Sequence, residues 1–206
     1  MSPMKLHYSP TSPFVRKVSV VALETGLDGR IEPIPANVWD PSNKVADHNP
    51  LGKIPALVTE GGETLFDSPV ICEYLDSLHD GLKLFPPPGG ARWTALRRQA
   101  LADGILDAGV LRLLENRRSE SEQSAGWIAR QSAAVTRGLD ALEDEAEELS
   151  GPVTIGHIAI GCAVGWLEFR FGDDDWRGNR PALARWYDNF ARRPSMERTV
   201  PQEAAT

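Results

Sequence analysis

Two Ser-Pro dipeptides, Ser12-Pro13 and Ser68-Pro69, each stand just ahead of an apolar helical run, and Ile54-Pro55 lies between them in the chain. A serine can accept from the free N–H groups of a helix's first turn, and proline suits the first helical position, where no N–H is needed. Helix N-termini carry partial positive charge, so two of them aimed at one place would hold a small ligand with two negative groups. The plainer reading of each dipeptide is a helix cap and nothing more. Sequence alone leaves both readings open.

The elements that must position these residues are legible on either side of them. Lys5-Leu6-His7-Tyr8 reads as a strand and Ser9-Pro10-Thr11 as the turn that follows. Val15, Val18 and Ala22 share a face with Val21, which predicts a helix over 14–25 that Gly26 stops. A short strand over 31–35 leads into a polar, turn-rich stretch from Trp39 to Lys53 that ends in Asn49-Pro50-Leu51-Gly52. Residues 56–59 and 63–66 flank Gly61-Gly62 and read as a hairpin. Val70, Ile71, Tyr74 and Leu78 have helical spacing and predict a helix over 70–78. The order β-α-β-loop-β-β-α is that of a thioredoxin-like domain.

Pro86-Pro87-Pro88-Gly89-Gly90 closes a linker, and beyond it no strand signal remains. Residues 92–118 and 122–148 carry long helical patterns. The stretch 154–171 is apolar around most of its circumference, which predicts a central buried helix. Arg180-Pro181 opens a last helix to about Arg192, after which Pro194 and Pro201 hold the tail in irregular structure. The expected division is a thioredoxin-like domain over 1–80, a linker over 81–90 and an all-helical domain over 91–206.

Bulk properties narrow the function. With 206 residues, 41% of them hydrophobic and 25% charged, the chain can bury a substantial core. A net charge of −7 without any basic stripe argues against nucleic acid as a partner. No apolar run reaches membrane-spanning length and the first residues lack an apolar signal core, so a cytosolic location is expected. Cys72 and Cys162 lie far apart within helical apolar patterns, as buried thiols do, and His7, His48, His79 and His157 have no ligand spacing. Neither a metal nor a redox cofactor is indicated.

This combination resembles the glutathione S-transferase superfamily over nearly the whole chain. The resemblance rests on Ser12-Pro13-Phe14-Val15-Arg16-Lys17, on Asn49-Pro50-Leu51-Gly52-Lys53-Ile54-Pro55-Ala56-Leu57 and on Phe66-Asp67-Ser68-Pro69, in that order and ahead of a helical domain. The chain is more similar to the bacterial, serine-type members than to the tyrosine-type ones. The resemblance implies that a hydroxyl after the first strand holds the sulfur of glutathione. It implies too that the residue before a cis-proline pairs its backbone with the cysteinyl unit, and that an acidic-Ser pair binds the γ-glutamyl end. Carried over, these are Ser12, Ile54 with Pro55, and Asp67 with Ser68. Lys53, with Trp39 or His48, would face the glycine carboxylate. Asp103 or Asp107 would reach the γ-glutamyl amine or else make a cap or core-edge contact, and Trp166, Phe169 and Phe171 would wall an electrophile pocket or else pack in the core. One departure stands out: many members place Asp three residues after the Ser/Thr that opens the buried helix, whereas Thr154 is followed by His157, so the usual reciprocal cap cannot form in the same way.

The chemistry fits a thiol transferase, with glutathione as co-substrate and a homodimer as the expected assembly. A free thiol titrates near about 8.5, so its value must fall by about one or two units for reaction at neutral pH. A hydroxyl donor and the positive end of a helix do this without a covalent enzyme intermediate. Ser12 offers both; Thr11 and Ser9 on the same loop are alternatives, and Tyr8, a strand residue, is the weakest. Pro55 reads as cis, which X-Pro bonds alone adopt readily, and would present the Ile54 backbone edge to an extended peptide. A trans proline opening a strand is the alternative. The rival functions are glutathione-dependent reduction, dehalogenation or isomerisation, and a transferase-like protein that only binds or regulates.

Overall fold

Residues 2–203 are described by a computed structural model of the chain. They fall into two compact units, one that runs to Pro87 and takes up the chain again at Pro194, and one over Pro88–Arg193.

The first unit is a four-stranded mixed sheet in the order β2-β1-β3-β4 with two helices. Strand β1 (Met4–Tyr8) buries Met4 and Leu6 and runs parallel to β2 (Ile31–Pro35), as a crossover through a helix requires. That helix, α1 (Pro13–Glu24), turns Val15, Val18, Val21 and Ala22 into the core. It stops where expected: Gly26 takes φ +70°, the Leu27 N–H reaches the Ala22 carbonyl at 2.8 Å and the Gly26 N–H the Leu23 carbonyl at 3.3 Å. This paired closure needs a left-handed residue, and glycine adopts it without a Cβ penalty. Strand β3 (Ala56–Val58) runs antiparallel to β1 with His7 opposite Ala56, and β4 (Thr64–Leu65) antiparallel to β3 with Leu57 opposite Leu65. The hairpin is shorter than the expected 63–66 arm.

Helix α2 (Ser68–Ser77) starts two residues before the predicted 70, and its N-cap is Asp67. Ser68 is therefore the first helical residue rather than the cap, which corrects half of the Ser-Pro reading. Predicted as irregular and assigned to the helical domain, the tail instead contains helix α7 (Pro194–Glu197) and packs on α1 within the first unit. Buried Arg16 donates from Nη2 to the Met196 carbonyl at 3.2 Å, Ser195 bonds Glu24, and Arg198 pairs with Asp28 at 3.1 Å.

The second unit is all-helical: α3 (Gly90–Asn116), α4 (Ala125–Asp144), α5 (Ile155–Arg170) and α6 (Pro181–Phe190). As its apolar circumference predicted, α5 is buried without a break from Ile155 to Leu167. Close helix approach is bought with small residues on α3. A Cβ added at Gly109 would lie 2.8 Å from the Trp166 ring, whereas one at exposed Gly104 would meet nothing within 4 Å. Trp166 is 1% exposed and belongs to this core, so it does not wall a pocket. Among the described residues no helix is long and apolar enough to cross a membrane, and no group of three or more His, Cys, Asp or Glu could hold a metal ion.

The start of α5 answers the question raised by His157. The Thr154 N–H donates to His157 Nδ1 at 3.0 Å, and Thr154 Oγ1 lies 2.8 Å from the same nitrogen. The imidazole thus closes the reciprocal cap that a carboxylate usually closes. A backbone N–H can only donate, so Nδ1 carries the lone pair and the ring is neutral with its hydrogen on Nε2. Burial first, then the Arg98 and Arg193 charges, push this histidine from 6.5 down to about 4.

Because the folded value for His157 is depressed, the unfolded chain binds the proton more readily between pH 6.5 and about 4. Its contribution is complete above 6.5 and is lost as pH falls through that window, on the order of 3 kcal/mol in all. His157→Asp should flatten the fall in Tm between pH 7 and pH 5, and an unchanged slope would refute the assignment. In urea denaturation, Gly104→Ala should stabilise by about 0.5–1 kcal/mol through helix propensity alone. Gly109→Ala should cost about 1–3 kcal/mol, because Trp166 has to move.

Candidate functional site

The strand register gathers the motif residues at one end of the sheet. Two antiparallel steps, β1 to β3 and β3 to β4, make β1 and β4 run in the same direction. Their C-terminal ends therefore lie together, and α1 and α2 both begin there. Continuing the β1–β3 pairing beyond His7 and Ala56 brings Pro55 level with Tyr8 and Ile54 level with Ser9. Ser12, Ile54 and Asp67 thus leave the same edge on three neighbouring segments.

At the start of α1, Ser12 has extended backbone and its Oγ accepts from the Val15 N–H at 3.3 Å. The cap uses a lone pair and leaves the hydroxyl hydrogen, for which no acceptor is found among the described residues. Pro13 has no N–H, and the Phe14 N–H has no partner among the described residues. Ser9 Oγ and Thr11 Oγ1 bond each other at 3.0 Å, which uses one of their two hydroxyl hydrogens. Tyr8 is half-buried at the end of β1.

At the start of α2, the Asp67 carboxylate accepts from the Ser68 N–H, while Pro69 has no N–H and the Val70 N–H has no partner among the described residues. Asp67 itself is exposed, with a second oxygen able to meet a cation. Ser68 is fully buried, and its Oγ has no hydrogen-bond partner. Buried hydroxyls are nearly always satisfied, so an orphan at a helix N-terminus calls for an explanation.

Between these ends, the Ile54–Pro55 bond is cis, as expected, and so is Phe66–Asp67. Lys53 is exposed, Ile54 is half-buried and Pro55 is buried. The loop before them is organised by Asn49, which is 3% exposed. Its Oδ1 accepts from the Leu51 N–H at 3.0 Å and its Nδ2 donates to the Lys53 carbonyl at 2.8 Å. Sequence reasoning placed Asn49 in a turn without giving it a role, although Asn-Pro-x-Gly is a signature of side-chain-to-backbone turns. His48 is half-buried and lies against His7, with ring centroids 4.4 Å apart and planes tilted by 32°. Burial, then His48 and Lys5, lower the affinity of His7 for a proton.

Other candidates lie on other elements. Trp39 is 68% exposed on the loop after β2. Asp103 is half-exposed and Asp107 exposed on α3, in the other unit. A recess of about 340 Å³ in the helical unit is bordered by Glu168, Asp173, Asp174, Asp175 and Arg177. Three of its carboxylates are already used: Glu168 on Arg177 at 2.6 Å, Asp174 on Arg112, and Asp175 on the Gly178 N–H at 2.8 Å.

The sequence model of the glutathione S-transferase N-terminal domain matches residues 11–78, and that of the C-terminal domain matches residues 125–189. An uncharacterized GST-like protein of Escherichia coli, YibF, is 40% identical over 205 residues, which is 98% of this chain and 100% of that one. A crystal structure of a glutathione S-transferase from Methylobacillus flagellatus with GSH bound is 41% identical, covers 97% of this chain and 100% of its own, and has a TM-score of 0.92. A glutathione transferase family member from Pseudomonas fluorescens Pf-5, with bound glutathione, is 41% identical at the same coverage, with a TM-score of 0.93. With both domains matched in order and relatives aligned from end to end, the chain belongs to the glutathione S-transferase family.

Proposed function

We propose that this protein binds glutathione in its first unit and activates the thiol for attack on a small hydrophobic electrophile. Glutathione is the co-substrate, no resident cofactor or metal takes part, and the working form is a cytosolic homodimer. The observation that carries the reading is the convergence of two helix N-termini and one free backbone edge at the same end of the sheet. The glutathione held by the Methylobacillus and Pseudomonas relatives supports the identity of the ligand.

Each group has a part. Ser12 keeps its hydroxyl hydrogen while capping α1, so it can donate to the sulfur as the thiolate forms, and the helix end adds positive potential. The thiol proton leaves to solvent. The thiolate then forms the S–C bond as the electrophile's leaving group departs with its electron pair, and no bond to the enzyme is made. Asp67 meets the γ-glutamyl ammonium, while the Val70 N–H and the unsatisfied Ser68 hydroxyl suit the neighbouring carboxylate. Ile54 pairs its backbone with the cysteinyl unit, and Lys53, with Trp39 or His48 on the adjoining loop, faces the glycine end.

Reduction by thiol–disulfide exchange is disfavoured, because Cys72 and Cys162 are both buried and serine stands at the start of α1. A protein that only binds would show glutathione affinity without turnover of any electrophile.

Two measurements test the reading. Isothermal titration should detect glutathione binding, and no heat at millimolar ligand would refute it. Ser12→Ala should raise the pKa of the bound thiol, followed by ultraviolet thiolate absorbance, by about 1–2 units. It should also lower kcat below pH 7 by roughly 10- to 100-fold while KM for glutathione moves less than about threefold. Equal losses in kcat and KM would leave Ser12 as a cap alone.

A further inference from the structure

We infer that Asn49 is a positioning residue for the ligand's cysteinyl carbonyl, acting through the Lys53–Ile54 peptide plane; this rests on the glutathione reading above. The Lys53 carbonyl and the Ile54 N–H belong to one peptide unit. That unit is trans, since the cis bonds among the described residues are Ile54–Pro55 and Phe66–Asp67. A trans peptide is planar and rigid, with its C=O and N–H pointing in opposite directions. Asn49 Nδ2 holds the carbonyl at 2.8 Å, so the Ile54 N–H faces away from Asn49. Among the described residues that N–H has no partner.

Asn49 is itself well anchored. Its N–H donates to the Val45 carbonyl at 2.8 Å, its carbonyl accepts from the Gly52 N–H at 2.8 Å, and Oδ1 takes the Leu51 N–H. The partners also settle the orientation of the amide, because a carbonyl needs a donor and an N–H needs an acceptor. Without Nδ2, the Lys53–Ile54 plane is free to rotate about ψ of Lys53 and φ of Ile54. The N–H would then no longer be aimed before the ligand arrives, and binding would bear the cost of ordering it.

A double-mutant cycle between protein and ligand tests this. Asn49→Asp keeps the acceptor for Leu51 but loses the donor to Lys53. Asn49→Ser, whose hydroxyl can still cap the Leu51 N–H, is measured beside it in case the carboxylate disturbs folding. The probes are glutathione and an analogue whose cysteinyl carbonyl oxygen is replaced by sulfur, a weaker acceptor. Each single change should weaken binding about tenfold, and the two together little more than either alone, because an N–H that is no longer aimed makes little of the hydrogen bond that the sulfur would weaken. The loss should fall on KM for glutathione, with the pKa of the bound thiol unmoved. Losses that multiply, or a variant that binds glutathione as the unaltered chain does, would overturn the inference and leave the glutathione reading standing. An unaltered chain that fails to bind glutathione would overturn both.

Discussion

The antiparallel pairing of β1 with β3 sets everything at the candidate site. His7 opposite Ala56 decides that Ile54 emerges beside the Ser9–Ser12 loop, and the second antiparallel step to β4 brings Asp67 to the same edge. Side chains alternate across a sheet, so a slip of one residue would send Leu57 from the core face to the other. Leu6 and Leu57, buried opposite each other on one face, hold this register, and the register places the candidate ligand groups. Packing and chemistry are coupled here through geometry alone, with no functional side chain in the core of the sheet.

The two helix starts at that edge meet their free N–H groups in different ways. At α1 the cap is a hydroxyl, which accepts from Val15 and keeps a hydrogen to donate. At α2 the cap is a carboxylate, which accepts from Ser68 and keeps its charge. A hydroxyl with a hydrogen to spare suits a sulfur that must become anionic. A carboxylate beside unpaired donors suits a zwitterion, whose two charges need opposite partners a few ångströms apart. Capping and ligand binding are compatible because each cap group has more hydrogen-bonding capacity than the cap consumes.

Much of this was legible in residue types and spacing. The α1 periodicity and its glycine stop, the hairpin, the buried α5 and the two-unit order all rest on local patterns that tertiary packing only reinforces. What sequence misplaced depends on single hydrogen bonds. Ser68 reads as a cap by type, yet Asp67 one residue earlier holds its N–H, so the helix starts sooner. Asn49 looks like any turn residue because its bonds to Leu51 and Lys53 leave no periodic trace. The tail reads as irregular because Pro194 and Pro201 dominate its composition, whereas Arg16 and Glu24, some 170–180 residues earlier, hold it on α1. Trp166 could not be assigned to core or pocket until Gly109 was seen opposite its ring.

His157 shows why residue type alone misjudged the start of α5. The family pattern asks for a carboxylate, but the Thr154 N–H asks only for a lone pair at hydrogen-bond distance. Neutral imidazole supplies it at 3.0 Å. A carboxylate there would be buried beside Arg98 and would carry charge into a helix start that is almost fully enclosed. Imidazole avoids that desolvation cost, but forgoes attraction to the helix dipole and leaves its Nε2–H without a partner. In the proposed function the end groups of α1 and α2 meet glutathione, for which each keeps a hydrogen or a charge to offer. Three helix starts thus satisfy three different N–H groups with three different acceptors: Val15 by the Ser12 hydroxyl, Ser68 by the Asp67 carboxylate and Thr154 by the His157 imidazole.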